Sequence, residues 1–268
     1  MGRFDGVLLV SDFDDTYLPG GRDVPERNRT ALDYFLGEGG RFTIATGRAH
    51  TTFAPCVAQL PINVPVILSN GSALYDFQRD EMLLQTELPS TCLEDLTDVL
   101  TRWPSLGAEF YHKEDIFVHN PNYITDAHMK KVGTEYTVCS VPEMPRPWTK
   151  VILQEEHPVG LQVQKYMLET YGDEYEAVFS NHYYLEVTRK GSTKGGMVDE
   201  LVKHLNLDPG KVYCVGDNQN DIPMLRRSAI PFAPDNCAQE VKDWGAKLVC
   251  SCSEGVIGDI VEILDEIY

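Results

Sequence analysis

Short apolar runs that end in polar residues alternate with helical patterns at both ends of this chain. Near the N-terminus the runs are Val7–Val10, Phe42–Ala45 and Val64–Leu68. Toward the C-terminus, Lys194–Leu205 and Val256–Ile267 have helical spacing, and Val212–Val215 is again a short apolar run. Strands that alternate with helices indicate βαβ units around a parallel sheet. We therefore predict an α/β fold whose core is a parallel sheet.

The middle of the chain has a different pattern. Two segments, Glu109–His112 and Ile116–His119, alternate between apolar and polar residues, which indicates half-buried strands. Helical spacing in Ser90–Trp103 and Pro158–Tyr171 interleaves with these strands. We predict an α+β domain with an antiparallel sheet at 83–188, inserted into a core formed by 1–82 and 189–268.

Composition excludes several kinds of partner. The 268 residues include 41 acidic and 23 Lys or Arg side chains, a net charge of −18. Nucleic acid and anionic membrane surfaces need clustered cations, so we expect neither as a partner. No apolar run near the N-terminus is long enough for a membrane span. The seven cysteines are odd in number and include no C-x-x-C pair, so we expect free thiols and a cytoplasmic location.

Three predicted strands end in residues that suit a phosphate and a metal ion. The first continues into Asp12-Phe13-Asp14-Asp15-Thr16, the second into Thr46-Gly47-Arg48, and the strand at Val212–Val215 into residues 216–221. Ligands of parallel α/β sheets bind at the carboxyl ends of the strands. We therefore expect these three loops to lie together.

Asp12 and Asp14 are two residues apart, so in an extended segment both carboxylates face the same side. One carboxylate can attack phosphorus and form an aspartyl-phosphate, and the other can act as general acid and base. Their repulsion of a phosphate requires a divalent cation, and a site made of oxygen atoms suits Mg²⁺. Asp217 and Asp221 add carboxylates for that ion. We expect the metal to lower the pKa of Asp12, whereas like charge and burial raise that of Asp14.

Each motif also has a simpler interpretation. A calcium loop beginning at Asp12 fails, because Tyr17 and Asp23 stand where Gly and Glu are required. Taken alone, Thr46 could cap the following helix, residues 216–221 could form an Asn/Asp-rich turn, and Lys194 could be a solvated lysine. However, a site that contains these acids still needs a cation for the phosphate.

Taken in chain order, the motifs resemble the four motifs of the haloacid dehalogenase superfamily. They are Asp12–Thr16, Ala45-Thr46-Gly47-Arg48, Lys194-Gly195 and Gly216–Asp221. Asn70-Gly71 and Leu185–Thr188 also look like the Cof-type branch, which includes sugar phosphatases and is related to sucrose-phosphate phosphatases. The resemblance implies a Rossmann-like core and a mobile cap inserted between the second and third motifs, where 83–188 falls.

The resemblance also implies roles for individual residues. Asp12 would be the nucleophile and Asp14 the general acid and base. Mg²⁺ would be held by Asp12, the backbone carbonyl of Asp14 and Asp217, with support from Asp221. The phosphate would be held by Thr46, Gly47, Lys194 and Asn220. Asp15 departs from the pattern, because most relatives have Gly there.

We therefore expect a Mg²⁺-dependent phosphatase of a small phosphorylated metabolite, such as a sugar phosphate. The alternatives are a phosphotransferase or phosphomutase of the same fold and, of another class, a non-catalytic metabolite-binding module. Several His and aromatic residues of the insert are candidates for lining a substrate pocket, none of them singled out: His112, His119, Tyr123, His128, Trp148, His182, Tyr183 and Tyr184.

Overall fold

The computed structural model describes residues 2–20 and 23–268. In that part of the chain, strands and helices alternate in the first and last thirds, as the sequence predicts. The strands are β1 (Leu8–Ser11), β2 (Arg41–Ile44), β3 (Val66–Leu68), β4 (Ala73–Asp76), β5 (Glu81–Gln85), β6 (Gly107–His112), β7 (Asp115–His119), β8 (Thr137–Val138), β9 (Lys150–Gln154), β10 (Tyr175–Phe179), β11 (Tyr184–Arg189), β12 (Val212–Val215), β13 (Pro231–Pro234) and β14 (Lys247–Val249).

The α-helices of the same residues are short or of medium length. They are α1 (Glu26–Gly37), α2 (His50–Val57), α3 (Cys92–Arg102), α4 (Tyr123–Val132), α5 (His157–Tyr171), α6 (Lys194–Leu205), α7 (Ile222–Leu225), α8 (Gln239–Trp244) and α9 (Val256–Ile267). Helix α5, with 15 residues, is the longest of them. None of the helices in 2–20 and 23–268 has the length and apolar character needed to cross a bilayer.

The core is a parallel sheet in the order β14-β13-β12-β1-β2. Strand β1 pairs in parallel with β12 on one side and β2 on the other, so the three predicted strand ends are neighbours. Helices α1 and α9 pack on one face of the sheet around Phe35 and Ile260. Helix α6 packs on the other face through Met197 and Leu201. Both faces are covered, which explains the continuous apolar runs of these strands.

The third apolar run, Val64–Leu68, forms β3 but is only loosely joined to the core sheet. A single parallel bridge links Ala45 to Ile67 in the described part of the chain, and β3 pairs antiparallel with β4. The sequence analysis missed the hairpin of β4 and β5. In β5 both the charged Glu81 and the apolar Leu84 are exposed, so the strand has no regular alternation.

The insert contains a second sheet in the order β10-β11-β9-β6-β7-β8, and its pairs are antiparallel except for β7 with β8. One face of this sheet is apolar and packs against α3 and α5, for example through Phe110 and Val151. This α+β part agrees with the predicted cap. Its boundaries stay a proposal, because β5 and β11 each extend across a predicted border, at 82/83 and 188/189.

Candidate active site

Three loops meet at the carboxyl ends of β1, β2 and β12. Asp12 directly follows β1, and its backbone N–H donates to the carbonyl of Val215, the last residue of β12, at 2.9 Å. Thr46 follows β2, and Asp217 follows β12. The parallel pairing of β1 with both neighbours therefore brings the predicted site residues together, as the sequence analysis expected.

Lys194 joins the first loop to the third. Its Nζ lies 2.5 Å from Asp12 Oδ1 and 2.6 Å from Asp221 Oδ1, and the side chain is fully buried. Burial alone would lower the pKa of Lys194, but the two carboxylates outweigh burial and raise it. The lysine is thus a charged group inside the site. The interpretation as a solvated surface lysine is wrong.

Asp221 shapes the third loop through its other oxygen. Oδ2 accepts the backbone N–H groups of Asp217 and Asn218 at 2.9 and 3.0 Å. Gly216 is required beside it, because a Cβ there would lie 2.4 Å from the Cβ of Asp221. Asp217 is oriented from the first loop, since Thr16 donates its hydroxyl to Oδ1 at 3.0 Å. These residues form the Asn/Asp-rich turn of the simpler interpretation, and the turn is part of the site.

The donor set formed by Asp12, Asp217 and Asp221 fits a divalent cation. One carboxylate oxygen of each lies within 4.8 Å of the others, and the ammonium group of Lys194 contacts this cluster. Burial and the neighbouring carboxylates raise the pKa of Asp12 to about 7 and that of Asp217 well above its ordinary value. A cation among these buried carboxylates would favour their ionised forms, and oxygen ligands of this kind are those that Mg²⁺ uses.

The carboxylate of Asp14 lies outside this cluster and is held by Arg48. Nε and Nη2 of Arg48 donate to Oδ2 and Oδ1 of Asp14 at 2.8 and 2.7 Å. Burial would raise the pKa of Asp14, but Arg48 outweighs burial and lowers it. The expectation of a raised pKa is therefore wrong, because the sequence analysis did not foresee this partner. The expected role of Asp14 in metal binding, through its backbone carbonyl, stays a prediction.

Thr46 and Gly47 leave donors for a phosphate. Helix α2 begins at His50 and takes no side-chain cap, so Thr46 is not its N-cap. Instead, Thr46 Oγ1 accepts the backbone N–H of Arg48 at 3.1 Å. Within the described part of the chain, no residue accepts a hydrogen bond from the Thr46 hydroxyl or from the backbone N–H of Gly47.

Asn70 contacts the predicted site, although the sequence analysis did not include it among the site residues. Its Oδ1 accepts from Asn220 Nδ2 at 2.9 Å, and its backbone N–H donates to the carbonyl of Thr46 at 3.0 Å. The next residue, Gly71, has φ +93°, and a Cβ there would lie 2.0 Å from the Thr193 carbonyl oxygen. The loop after β3 thus contacts all three segments that the sequence analysis predicts to bind the phosphate. The Asn-Gly pair, noted only as part of the resemblance, was the available signal.

Asp15 occupies a backbone conformation that favours glycine. Its φ is 63°, in the left-handed region that Asp tolerates better than most side chains. Its Oδ1 accepts the backbone N–H of Gly20 at 3.1 Å. The departure from the family pattern is therefore accommodated locally, and the side chain adds a hydrogen bond that glycine could not make.

The cap contributes the remaining wall of the cavity above these loops. Lys150 of β9 donates to the carbonyl of Gly47 at 2.7 Å and to Glu186 Oε2 at 3.1 Å. Ser180 donates to the other oxygen of Glu186 at 2.9 Å. Lys150 and Glu186 are both at least 95 % buried as side chains. The part of this cavity that the centres of water molecules can reach has a volume of about 80 Å³.

Two of the eight candidate cap residues line this cavity, His128 and Tyr184. Trp148 is buried in the apolar core of the cap, and Tyr123 is 63 % exposed. His112 bonds the carbonyl of Pro147 within the cap. The sequence analysis could not separate these roles, because an aromatic residue on a strand suits a core as well as a pocket.

A family model of haloacid dehalogenase-like hydrolases matches residues 9–258 of the chain. Among similar proteins, an HMP-PP phosphatase of Serratia proteamaculans is 27 % identical over 222 residues, which cover 81 % of this chain and 80 % of that protein. A pyridoxal phosphate phosphatase of Escherichia coli is 25 % identical over 249 residues, 89 % of this chain and 88 % of that protein.

Solved structures share the fold at low sequence identity. A sugar phosphatase of HAD subclass IIB has a TM-score of 0.86 at 20 % identity, with 97 % of this chain and 99 % of that chain covered. A HAD/COF-like hydrolase from Plasmodium vivax has a TM-score of 0.83 at 22 % identity, with 99 % of each chain covered. These likenesses confirm the parallel core and the inserted cap.

Proposed function

Because the chain belongs to the haloacid dehalogenase-like hydrolase family, in its Cof-type branch, and is a phosphatase, we propose a specific reaction for it. The enzyme hydrolyses a small phosphorylated metabolite with Mg²⁺ and forms an aspartyl-phosphate on Asp12. The observation that carries this proposal is the buried contact of Lys194 with both Asp12 and Asp221, at 2.5 and 2.6 Å. It joins the first, third and fourth motifs into one charged centre.

Asp12 is the nucleophile. One carboxylate oxygen attacks phosphorus, the P–O bond to the substrate alcohol breaks, and the phosphoryl group remains on Asp12 as an acyl phosphate. Asp12 must be ionised for this attack, whereas burial raises its pKa to about 7. When bound by Asp12, Asp217 and the carbonyl of Asp14, Mg²⁺ supplies positive charge that keeps these carboxylates ionised and offsets the phosphate charge.

Asp14 is the general acid and base. It gives a proton to the departing alkoxide and then takes one from the water that attacks phosphorus, which releases phosphate and restores Asp12. In the structure Arg48 keeps Asp14 ionised, which suits the second half of the reaction. A bound phosphate dianion would compete for Arg48 and favour a proton on Asp14, as the first half requires.

The phosphate is held by donors from three loops. The hydroxyl of Thr46 and the N–H of Gly47 point to no described acceptor, and Asn220 is fixed by Asn70. Lys194 supplies the cation. Preorganised donors of this kind stabilise the charge that develops on the transferred group.

We further propose that the substrate is a sugar phosphate or a closely related small metabolite. The polar side chains that the cap places in the cavity, such as Lys131, Ser180 and Asn181, and the limited cavity volume support a small, hydrogen-bonding leaving group. The free thiols of Cys56, Cys92, Cys139, Cys214, Cys237 and Cys250 support the cytoplasm as the place of action.

The decisive experiment measures phosphate release from p-nitrophenyl phosphate. We expect release with Mg²⁺, none with excess chelator, and a loss of about 10⁴-fold or more in Asp12→Asn, because the nucleophile is removed. Asp15→Asn is the matched control, since Asp15 lies in the same loop but its side chain bonds the backbone of Gly20. Asn also tolerates its positive φ.

A second measurement locates the covalent step. Beryllium trifluoride mimics a phosphoryl group on a carboxylate, so a crystal structure of the protein with Mg²⁺ and this reagent should show the adduct on Asp12. An adduct on any other residue, or full activity of Asp12→Asn, would overturn the proposed function.

A further inference from the structure

One face of α4 lies beside the reacting groups. His128 and Lys131 are three residues apart on this helix, so their side chains share a face, and both line the cavity. Lys131 Nζ lies 3.7 Å from Asp14 Oδ1. Asp14 is the proposed acid for the leaving oxygen, so the substrate atoms next to that oxygen lie near this face of α4.

A buried carboxylate fixes the orientation of His128. Both oxygens of Glu109, which is fully buried, lie 2.9 Å from His128 Nδ1. Tyr111 and Gln154 also donate to Glu109, at 2.9 and 2.5 Å. Nδ1 therefore carries a hydrogen, and the opposite ring nitrogen, Nε2, makes no hydrogen bond within residues 2–20 and 23–268. When both ring nitrogens carry hydrogens, Nδ1–H donates to Glu109 and Nε2–H can donate to an anion in the cavity.

The acidic groups on this side of the cavity already have partners. Asp14 is held by Arg48, Glu186 by Lys150 and Ser180, and Glu109 by its three donors. By contrast, Lys131 makes no hydrogen bond to any residue that the structure describes; it lies 3.7 Å from the oxygen of Asp14 that Arg48 already binds, and its side chain is 49 % exposed. The cap thus offers a ligand a cation and a ring nitrogen, while its acceptors are occupied.

Given the phosphatase function proposed above, on which this inference rests, we propose that Lys131 and His128 form a subsite for a second anionic group on the leaving alcohol. This group is a carboxylate or a second phosphate, separated from the scissile oxygen by a short carbon chain. Charged donors bind such oxygens about twice as strongly as neutral donors do. Glu109 is the positioning residue of this subsite.

Competitive inhibition of p-nitrophenyl phosphate hydrolysis tests the subsite. Glycerol 3-phosphate and 3-phosphoglycerate have the same carbon chain, but the second carries a carboxylate in place of a hydroxymethyl group. We expect an inhibition constant at least about tenfold lower for 3-phosphoglycerate, as a charge-assisted contact implies. Propane-1,3-diol bisphosphate, compared with propane-1,3-diol monophosphate, tests a phosphate as the second anion.

Substitutions in the proposed subsite test whether its residues cause the stronger inhibition by 3-phosphoglycerate. Lys131→Met should reduce the ratio of the two inhibition constants about tenfold, whereas Lys130→Met, at the exposed neighbouring position, should keep it. Glu109→Gln preserves the shape of the side chain but weakens its hold on His128, so it should also reduce the ratio. A purely structural loss would change both inhibition constants alike and leave their ratio at the wild-type value.

Each possible result of these experiments either supports or overturns the proposed subsite. Equal inhibition by the acidic and neutral compounds overturns the subsite, while hydrolysis that requires Mg²⁺ and Asp12 leaves the phosphatase function standing. A preference that survives both Lys131→Met and His128→Gln overturns its location. Absence of Asp12-dependent hydrolysis overturns the proposed function and this inference with it.

Discussion

Arg48 binds both carboxylate oxygens of Asp14, through Nε at 2.8 Å and Nη2 at 2.7 Å. The guanidinium also lies over the Phe13 ring, 5.0 Å from its centroid, and Nη1 donates to the carbonyl of Thr52. The first and second motifs are thus joined by a planar ion pair. A lysine could not reproduce it, because an ammonium cannot form the same two parallel bonds.

Arg48→Met should lower kcat for p-nitrophenyl phosphate by about 10- to 100-fold, because Asp14 loses the group that orients it. Arg48→Lys should recover only part of this loss. Steady-state kinetics at saturating Mg²⁺ would measure both effects. A wild-type kcat in Arg48→Lys would show that the two parallel hydrogen bonds from Arg48 to Asp14 are not needed.

Asn70→Gly should raise the inhibition constant of inorganic phosphate by about 3- to 30-fold, since the amide of Asn220 loses the hydrogen bond that fixes it. Glycine is the informative replacement because Asn70 has φ 54°, which glycine adopts without strain. Asn120→Gly is the matched control, because Asn120 has a similar φ of 47° but bonds carbonyls within the cap. An unchanged constant in Asn70→Gly would contradict the positioning role.

Mg²⁺ should raise the melting temperature of the wild-type protein, because a ligand that binds the folded state stabilises it. Asp217→Asn should abolish most of this shift, since it removes one oxygen ligand of the cluster. Asp235→Asn, an exposed acid in the following segment, is the control and should keep the full shift. Equal shifts in both variants would place the cation elsewhere.

Asp259 should stabilise the fold in a pH-dependent way. Burial opposes its ionisation, but the N–H of Cys250 and the guanidinium of Arg27 outweigh burial and lower its pKa. The pKa of an aspartate in the unfolded chain is about 3.9, and that of Asp259 in the folded protein is lower. The ionised side chain therefore stabilises the folded state above the unfolded-state pKa. This stabilisation is lost as the pH falls through the folded-state pKa.

Urea unfolding should therefore show Asp259→Asn to be less stable than the wild type at pH 7, by up to about 1 kcal/mol because the pair is partly exposed. The difference should shrink below about pH 4. A difference that stays constant as the pH falls from 7 to well below 4 would show that ionisation of Asp259 is not involved.

Much of the core could be predicted from local pattern. The bounds of β12, α6 and α9 agree with the sequence analysis residue for residue. The two helices are apolar on the faces that pack, and the strand is an apolar run buried throughout, so each has a clear sequence pattern. The grouping of Asp12 with Asp217 and Asp221 also follows from the motifs, because parallel strands align their ends. The place of Lys194 was implied by the family resemblance, since this residue begins α6 and follows no strand of the parallel sheet.

The partners of these residues were harder to predict. Arg48 and Asp14 are 34 residues apart, and no local rule pairs them. The same holds for Glu109 and His128, since an acid on an alternating strand is usually expected to face solvent. Helix α4 was missed, because its helical spacing is weak and its start depends on the Asn122 cap.

The ammonium of Lys150 reaches from the cap sheet to the Gly47 carbonyl, in the same peptide segment whose N–H is proposed to meet the phosphate. Any hinge movement that lifts the cap must separate these two atoms and expose a cation that is now almost fully enclosed. If product leaves by such a movement, its release requires rehydration of this one lysine. A substitution at Lys150 would then change the rate of cap opening without touching the bond-breaking steps.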